Sequence, residues 1–319
     1  MMNYAGQCFE LEQWFQPFGR EATFLEHLRS LTEPWVDECW IDDYGSLIAH
    51  QRGDGKCVMV TAQADVQTVV ITYIHEDGTA RFLMTGKGSY HVTRGNAVRF
   101  AKQLVGVVEY DDDCQGASDW KRMRIRAENG KLSVGDRGIL TDQTGGNLME
   151  IYGPHCGVAA GCMVLLSMMQ RERAKRLDIY YVFAIGSESD KVSQRGVKCA
   201  VYHIHPEVGI SIESLTTNMN GIKLGCGPAI LLRDEHSVLR KKMRVFCRMA
   251  AERLQTKVQY AAIPETERET ALYHFHCAGS DAATVAIPVQ PQGVCARKIL
   301  ISDLQDTITF LAALLRTLE

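Results

Sequence analysis

Three short runs rich in β-branched and aromatic residues, 57–62, 178–185 and 208–212, are separated by stretches with helical spacing, and this alternation constrains the fold most. The strands of a parallel sheet are buried on both faces and read as near-continuous apolar runs, whereas a sheet with one wet face alternates. Strands interleaved with helices therefore predict an α/β architecture, a central and mostly parallel sheet covered by helices on both sides. Segments 156–170, 237–254 and 304–318 supply helices, and 1–31 holds another helical stretch that Pro34 closes. The longest apolar run, 157–169, is interrupted by Ser167. It falls short of the roughly 20 residues that cross a bilayer and is expected as a buried helix.

From 66 to 147 the texture changes. Thr68-Val69-Val70-Ile71-Thr72-Tyr73 is β-rich, and Asp77-Gly78 and Val134-Gly135-Asp136-Arg137-Gly138 carry turn signals. The chain thus reads as a discontinuous α/β domain, 1–65 and 148–319, around an inserted all-β, barrel-like domain, 66–147. A length of 319 residues is compatible with two domains. The acidic Tyr110-Asp111-Asp112-Asp113 is expected as a solvated loop of the insert. A net charge of −3 offers no basic excess for nucleic acid or an anionic membrane, so neither partner is expected. Eleven cysteines, an odd number without C-x-x-C spacing, suit reduced thiols, and no basic segment precedes an apolar stretch at the amino end. Both features predict a cytoplasmic protein.

Five segments then point to one family. Asp42-Asp43-Tyr44-Gly45-Ser46-Leu47 followed by a strand ending Ala62-Gln63-Ala64-Asp65 resembles the glutamyl and deblocking aminopeptidases, metal-dependent enzymes that assemble as tetrahedral, dodecameric particles. The family pattern there is D-x-x-G-N, then A-H-M-D-E, whose His binds one zinc and whose Asp orients it. Ile151-Tyr152-Gly153-Pro154-His155-Cys156-Gly157 is similar to A-L-D-D/N-R-x-G, whose first Asp bridges both metals. Phe183-Ala184-Ile185-Gly186-Ser187-Glu188 is similar to F-T-V-Q-E-E, which carries the general base and then a ligand. Ile210-Ser211-Ile212-Glu213 matches I-A-I-D, and Ile287-Pro288-Val289-Gln290-Pro291-Gln292-Gly293 matches I-P-x-R-Y-x-H. Gly225-Cys226-Gly227-Pro228 and Gly279-Ser280-Asp281-Ala282 follow its L-G-x-G-P and G-T-D-A. The segment 282–287 is shorter than in the family, and 187–191 is longer. The resemblance implies that the β insert makes oligomer contacts.

Four of the five segments lose a functional group, and the segment ending at Glu213 keeps its carboxylate one methylene longer. Gln63 replaces the zinc-binding His, Gly153 the bridging Asp, Ser187 the general base and Gly293 the last His. Asp65, Glu188 and Glu213 keep carboxylates. A pair of dications about 3.5–4 Å apart needs imidazole, thiolate or carboxylate donors and a bridging anion, which these four replacements do not offer. Ser187 cannot accept a proton from water as a tuned carboxylate does. The resemblance therefore implies an inactive relative without a metal cofactor, a pseudoenzyme binding a peptide or small ligand or modulating assembly.

The alternative is an active metallo-aminopeptidase with a rebuilt zinc or cobalt pair on Asp65, Glu188, Glu213 and one or more of His155, His203 and His205. Asp65, Glu188 and Glu213 are expected to converge at the carboxyl ends of the strands, where α/β ligand crevices open. They either hold one hard cation through oxygen or are residual polar groups satisfied by Gln63, Ser187 and backbone amides. His155 beside Cys156 raises a Cys/His nucleophile, although sequence neighbours at a helix start rarely face each other. His203-x-His205 and His274-x-His276 are read as extended segments with two imidazoles on one side. Gly86-Lys87-Gly88 lacks a phosphate-loop pattern and is read as a turn.

Overall fold

The computed structural model describes all residues except 1–2, 86–91, 111–121, 142–143, 172–175, 187–193, 218–220, 255–256, 264–268, 276–278 and 293–295. The amino-terminal stretch forms two helices, α1 (Tyr4–Trp14) and α2 (Ala22–Thr32). Pro17 and Gly19, the latter at φ +81, part them. The side chain of Asn3 caps α1 by accepting the Gly6 N–H. In α2, Phe24, Leu25 and Leu28 recur at helical spacing on the buried face.

Strands β1 (Glu38–Ile41) and β2 (Leu47–Gln51) form a hairpin. Its turn is held by Asp42, whose Oδ1 accepts the N–H groups of Tyr44, Gly45 and Ser46. Strand β3 (Cys57–Gln63) follows. The chain then leaves for six strands, β4 (Val69–Ile74), β5 (Ala80–Met84), β6 (Ala97–Phe100), β7 (Val105–Tyr110), β8 (Met123–Ala127) and β9 (Arg137–Thr141). They close a barrel in the order β4-β5-β8-β7-β6-β9, filled by its own cluster of buried side chains including Val69, Ile71, Val98, Val108 and Ile125.

The chain returns through β10 (Gly145–Gly146), β11 (Glu150–Gly153), α3 (Cys156–Met169), β12 (Asp178–Ala184), α4 (Arg195–Ile204) and β13 (Val208–Thr216). It ends with β14 (Ala229–Arg233), α5 (Lys241–Leu254), β15 (Gln259–Ala262), α6 (Thr270–Phe275), β16 (Asp281–Gln292), β17 (Ala296–Leu300) and α7 (Ile301–Leu318). Eleven strands form one sheet whose main path is β1-β2-β12-β3-β13-β16-β17-β11-β10, with β14 and β15 off β16. The expectation of a mostly parallel sheet is corrected. The four central strands β12, β3, β13 and β16 are parallel, while β1, β2, β17, β11 and β10 join antiparallel. Hairpin turns deliver β1/β2, β10/β11 and β16/β17 as antiparallel neighbours without a crossover helix, whereas the parallel pairs, including β14 with β15 through α5, need longer connections.

Alternate residues of β3 serve opposite faces. Val58, Val60 and Ala62 pack in the larger core with α1, α2, α3, α5 and α7, and Met59 packs with α4 and α6. Helix α3 is covered on all sides, twelve of its fourteen residues being buried, as its apolar run predicts. Segment 282–287, where the family resemblance implies additional helix, is continuous strand within β16.

Candidate functional site

The register of the central strands assembles the carboxyl edge of the sheet. Gln63 at the end of β3 lies opposite Ala184 at the end of β12, and Ala62 lies opposite Ile212 of β13, one residue before Glu213. Gln63, the chain after Ala184 and Glu213 therefore sit side by side, and Asp65 follows two residues beyond Gln63. Asp65 is buried and its Oδ2 accepts the Gly186 N–H at 3.0 Å. The Gln63 amide turns back on its own chain, donating through Nε2 to the Asp65 carbonyl at 2.9 Å.

Glu213, itself half-buried, touches a polar chain that the sequence did not disclose. The Ser211 hydroxyl lies 2.9 Å from Glu213 Oε1 and 3.0 Å from Glu269 Oε2. Thr61 donates to the same Glu269 oxygen at 2.7 Å, and Tyr273 donates to Thr61 at 3.0 Å. Burial and then the Glu269 carboxylate push the Tyr273 phenol well above its ordinary range, so it stays a donor. Glu269 was missed because it follows a charged, irregular stretch with neither period, and only the fold lays α6 over Thr61 and Ser211. Ser187, Glu188, Gly293, His276 and the Gly86-Lys87-Gly88 segment lie outside the described residues.

Gly153 ends β11, the third neighbour of β13 along the sheet. A Cβ on Gly153 would stand 2.4 Å from Glu12 Oε2 and 2.6 Å from Glu12 Oε1, so the carboxyl of α1 fills the space that a side chain there would enter. Glu12 is buried, and its Oε1 accepts the His155 N–H at 2.9 Å. Burial drives its pKa up to about 7, against hydrogen bonds from His155 and Thr144 that pull it down.

The neighbours of Gly153 do not form a nucleophilic pair. His155 Nε2 is 3.1 Å from the Leu140 carbonyl, and burial lowers its pKa to about 4. The Cys156 thiol, 3.1 Å from the Arg297 carbonyl, is raised strongly by burial and then by Glu12. A neutral imidazole committed to a carbonyl cannot activate a thiol that burial keeps protonated.

The remaining histidine readings are corrected. His203 is in the last turn of α4 and His205 caps that helix at φ 54, so neither is in an extended segment. Both precede the amino end of β13, and Glu213 lies five residues beyond Val208, roughly 17 Å along the strand at about 3.3 Å per residue. They cannot share a site with Glu213. His274 belongs to α6 and its Nδ1 is 3.1 Å from the Ser280 carbonyl. A spacing of two fits one face of a strand but not one face of a helix, and the polar sequence around each pair does not decide between them.

Of the family's ligand positions, Gln63 and Gly153 offer neither imidazole nor carboxylate, and Glu188 and Gly293 lie outside the described residues. The amide of Gln63 is committed to a backbone carbonyl, the space at Gly153 belongs to Glu12, and among the described residues no three His, Cys, Asp or Glu side chains gather as a metal-holding group. Among the described residues no helix is long and apolar enough to cross a membrane.

The sequence model of M42 glutamyl aminopeptidase matches residues 45–310. A lysyl aminopeptidase of Pyrococcus furiosus is 24% identical over 311 residues, covering 89% of this chain and 88% of that protein. Among solved structures, an aminopeptidase of the archaeon Desulfurococcus kamchatkensis superposes with a TM-score of 0.88 at 20% identity, covering 98% of this chain and 94% of its own. The TET1 peptidase of Pyrococcus horikoshii, described as assembling into a tetrahedron or a large octahedral shell, gives 0.81 at 16% identity, with 96% and 98% covered. With the match spanning most of its length and the mixed α/β fold shared, the chain belongs to the M42 aminopeptidase family.

Proposed function

We propose that this protein is an M42 relative that has given up metal-dependent hydrolysis and uses the crevice at the carboxyl edge of the central strands to bind a peptide or small ligand, or to modulate an assembly. The observation that carries this reading is the carboxyl of Glu12 standing within 2.9 Å of the Cβ position at Gly153. Residue 153 matches the motif position of the bridging carboxylate, and the Glu12 carboxyl occupies the space that such a side chain would enter. The commitment of Gln63 to the Asp65 carbonyl supports the same conclusion at the position of the zinc-binding His. Asp65 and Glu213 are the carboxylates proposed to line the ligand crevice. The barrel of β4 to β9 is proposed as an inserted oligomerisation domain, in line with the shells formed by the TET1 peptidase.

The test is metal content and turnover of the purified chain. Zinc, cobalt and manganese are measured after incubation and removal of excess ion, and aminoacyl p-nitroanilides are assayed with each metal. The expected result is substoichiometric metal and no turnover above the metal-free control. Robust metal-dependent turnover that Glu213→Ala abolishes would replace this reading with a rebuilt active centre.

A further inference from the structure

Between the α1–α2 connection and the barrel lies a cavity of about 440 Å³, within the range of small-molecule sites. Its walls carry three cations, Arg20, Lys131 and Arg137, against one acid, Asp136. This local surplus of positive charge stands on a chain whose net charge is −3. Asp136 is occupied in its own turn, its Oδ2 accepting the Ser133 N–H at 2.7 Å. Among the described residues none of the three cations lies within 4 Å of a carboxylate. The nearby Glu21 is buried and its Oε1 accepts the Gly19 N–H at 2.8 Å.

Arg137, in the lining, spends one donor, Nη1 to the Phe18 carbonyl at 2.9 Å, which leaves further N–H groups for a ligand. The lining also includes the apolar side chains Phe100 and Leu104, which belong to or pack on the barrel core. A guanidinium fork beside an ammonium recognises phosphate or carboxylate oxygens, and these apolar side chains give an attached hydrocarbon somewhere to leave water.

We propose that this cavity binds a small amphipathic oxyanion: a doubly charged phosphate or carboxylate head met by Arg20, Lys131 and Arg137, with an apolar body against Phe100 and Leu104. Such a ligand would bridge the amino-terminal helices and the barrel, because Arg20 comes from the first and the other two cations from the second.

Calorimetric titration and amide chemical-shift mapping of the full chain test this with phenyl phosphate, inorganic phosphate and benzylsuccinate. The expected result is saturable binding of phenyl phosphate or benzylsuccinate, or both, tighter than that of inorganic phosphate. Shifts should be confined to 18–20, 100–104 and 129–137. Which aromatic anion binds tighter identifies the head as phosphate or carboxylate. The double variant Arg20→Ala and Lys131→Ala removes two exposed cations, so the fold and melting temperature should persist while affinity falls about fourfold or more and loses most of its salt dependence. The proposal is overturned if no probe saturates at millimolar concentration, or if the double variant binds as the wild type does.

Discussion

Glu12 and Gly153 act as one unit at the start of α3, the carboxyl occupying the room that the missing side chain leaves. The Glu12 carboxyl titrates near 7 in the folded chain against an ordinary 4.5, so between these values the folded state holds a proton that the unfolded state has released. Stability from this group is therefore complete below about pH 4.5, declines as pH rises, and is lost above about 7. The difference is worth about 3 kcal/mol or slightly more. Glu12→Gln keeps an acceptor for the His155 N–H without the charge, and urea unfolding at pH 5, 6, 7 and 8 should show a flatter profile than wild type and higher stability at pH 8. Equal slopes for the two proteins would refute the assignment. Gly153→Ala should cost about 1–3 kcal/mol by overpacking, and much less when Glu12 is also Ala. The replacements at 63 and 153 were legible as motif departures. Glu12 was not, since nothing in a polar and aromatic amino-terminal stretch announces a partner 141 positions away.

Among the elements, central strands were easier to read than edges. β3, β12 and β13 are apolar on both sides because helices cover both faces, and that burial is written in their composition. The antiparallel flanks carry no such mark, and their direction is decided by short turns and by where the chain returns. The glycine motif near 225 has a physical cause that the pattern alone did not supply. Gly225 and Gly227 take positive φ of 73 and 74, and a Cβ on Gly227 would meet the Lys257 carbonyl at 2.1 Å. Their N–H groups both donate to Asp303 in the first turn of α7, at 2.8 and 2.9 Å. Asp303 thus ties that helix to the loop preceding β14. Asp303→Ala orphans two amides, one of them buried, and should cost about 2–4 kcal/mol, measured as a lower urea midpoint with unchanged slope. A loss below about 0.5 kcal/mol would mean that water replaces the carboxylate there.

The molecule holds a large α/β core and a separate cluster of buried side chains inside the barrel of β4 to β9. What the barrel does was not legible, because a strand side chain that faces solvent and one that faces a neighbouring copy leave the same alternating record. The fold supplies a physical hint. Tyr73 of β4, Leu83 of β5 and Val134 before β9 are 56%, 52% and 64% exposed. Where such exposed apolar side chains form a contiguous patch, they are more costly in water than the isolated ones any surface carries. If the barrel mediates assembly, native mass spectrometry of the wild-type chain at micromolar concentration gives a defined multimer. Leu83→Arg, at an exposed position where the fold tolerates it, then shifts the distribution toward smaller species with little change in melting temperature. The magnitude expected is at least the burial free energy of one leucine, about 1.5–3 kcal/mol per contact, or more than tenfold in the dissociation constant. A wild-type chain that stays monomeric would remove the barrel from any role in self-assembly. A multimer untouched by Leu83→Arg would move the interface elsewhere on the molecule.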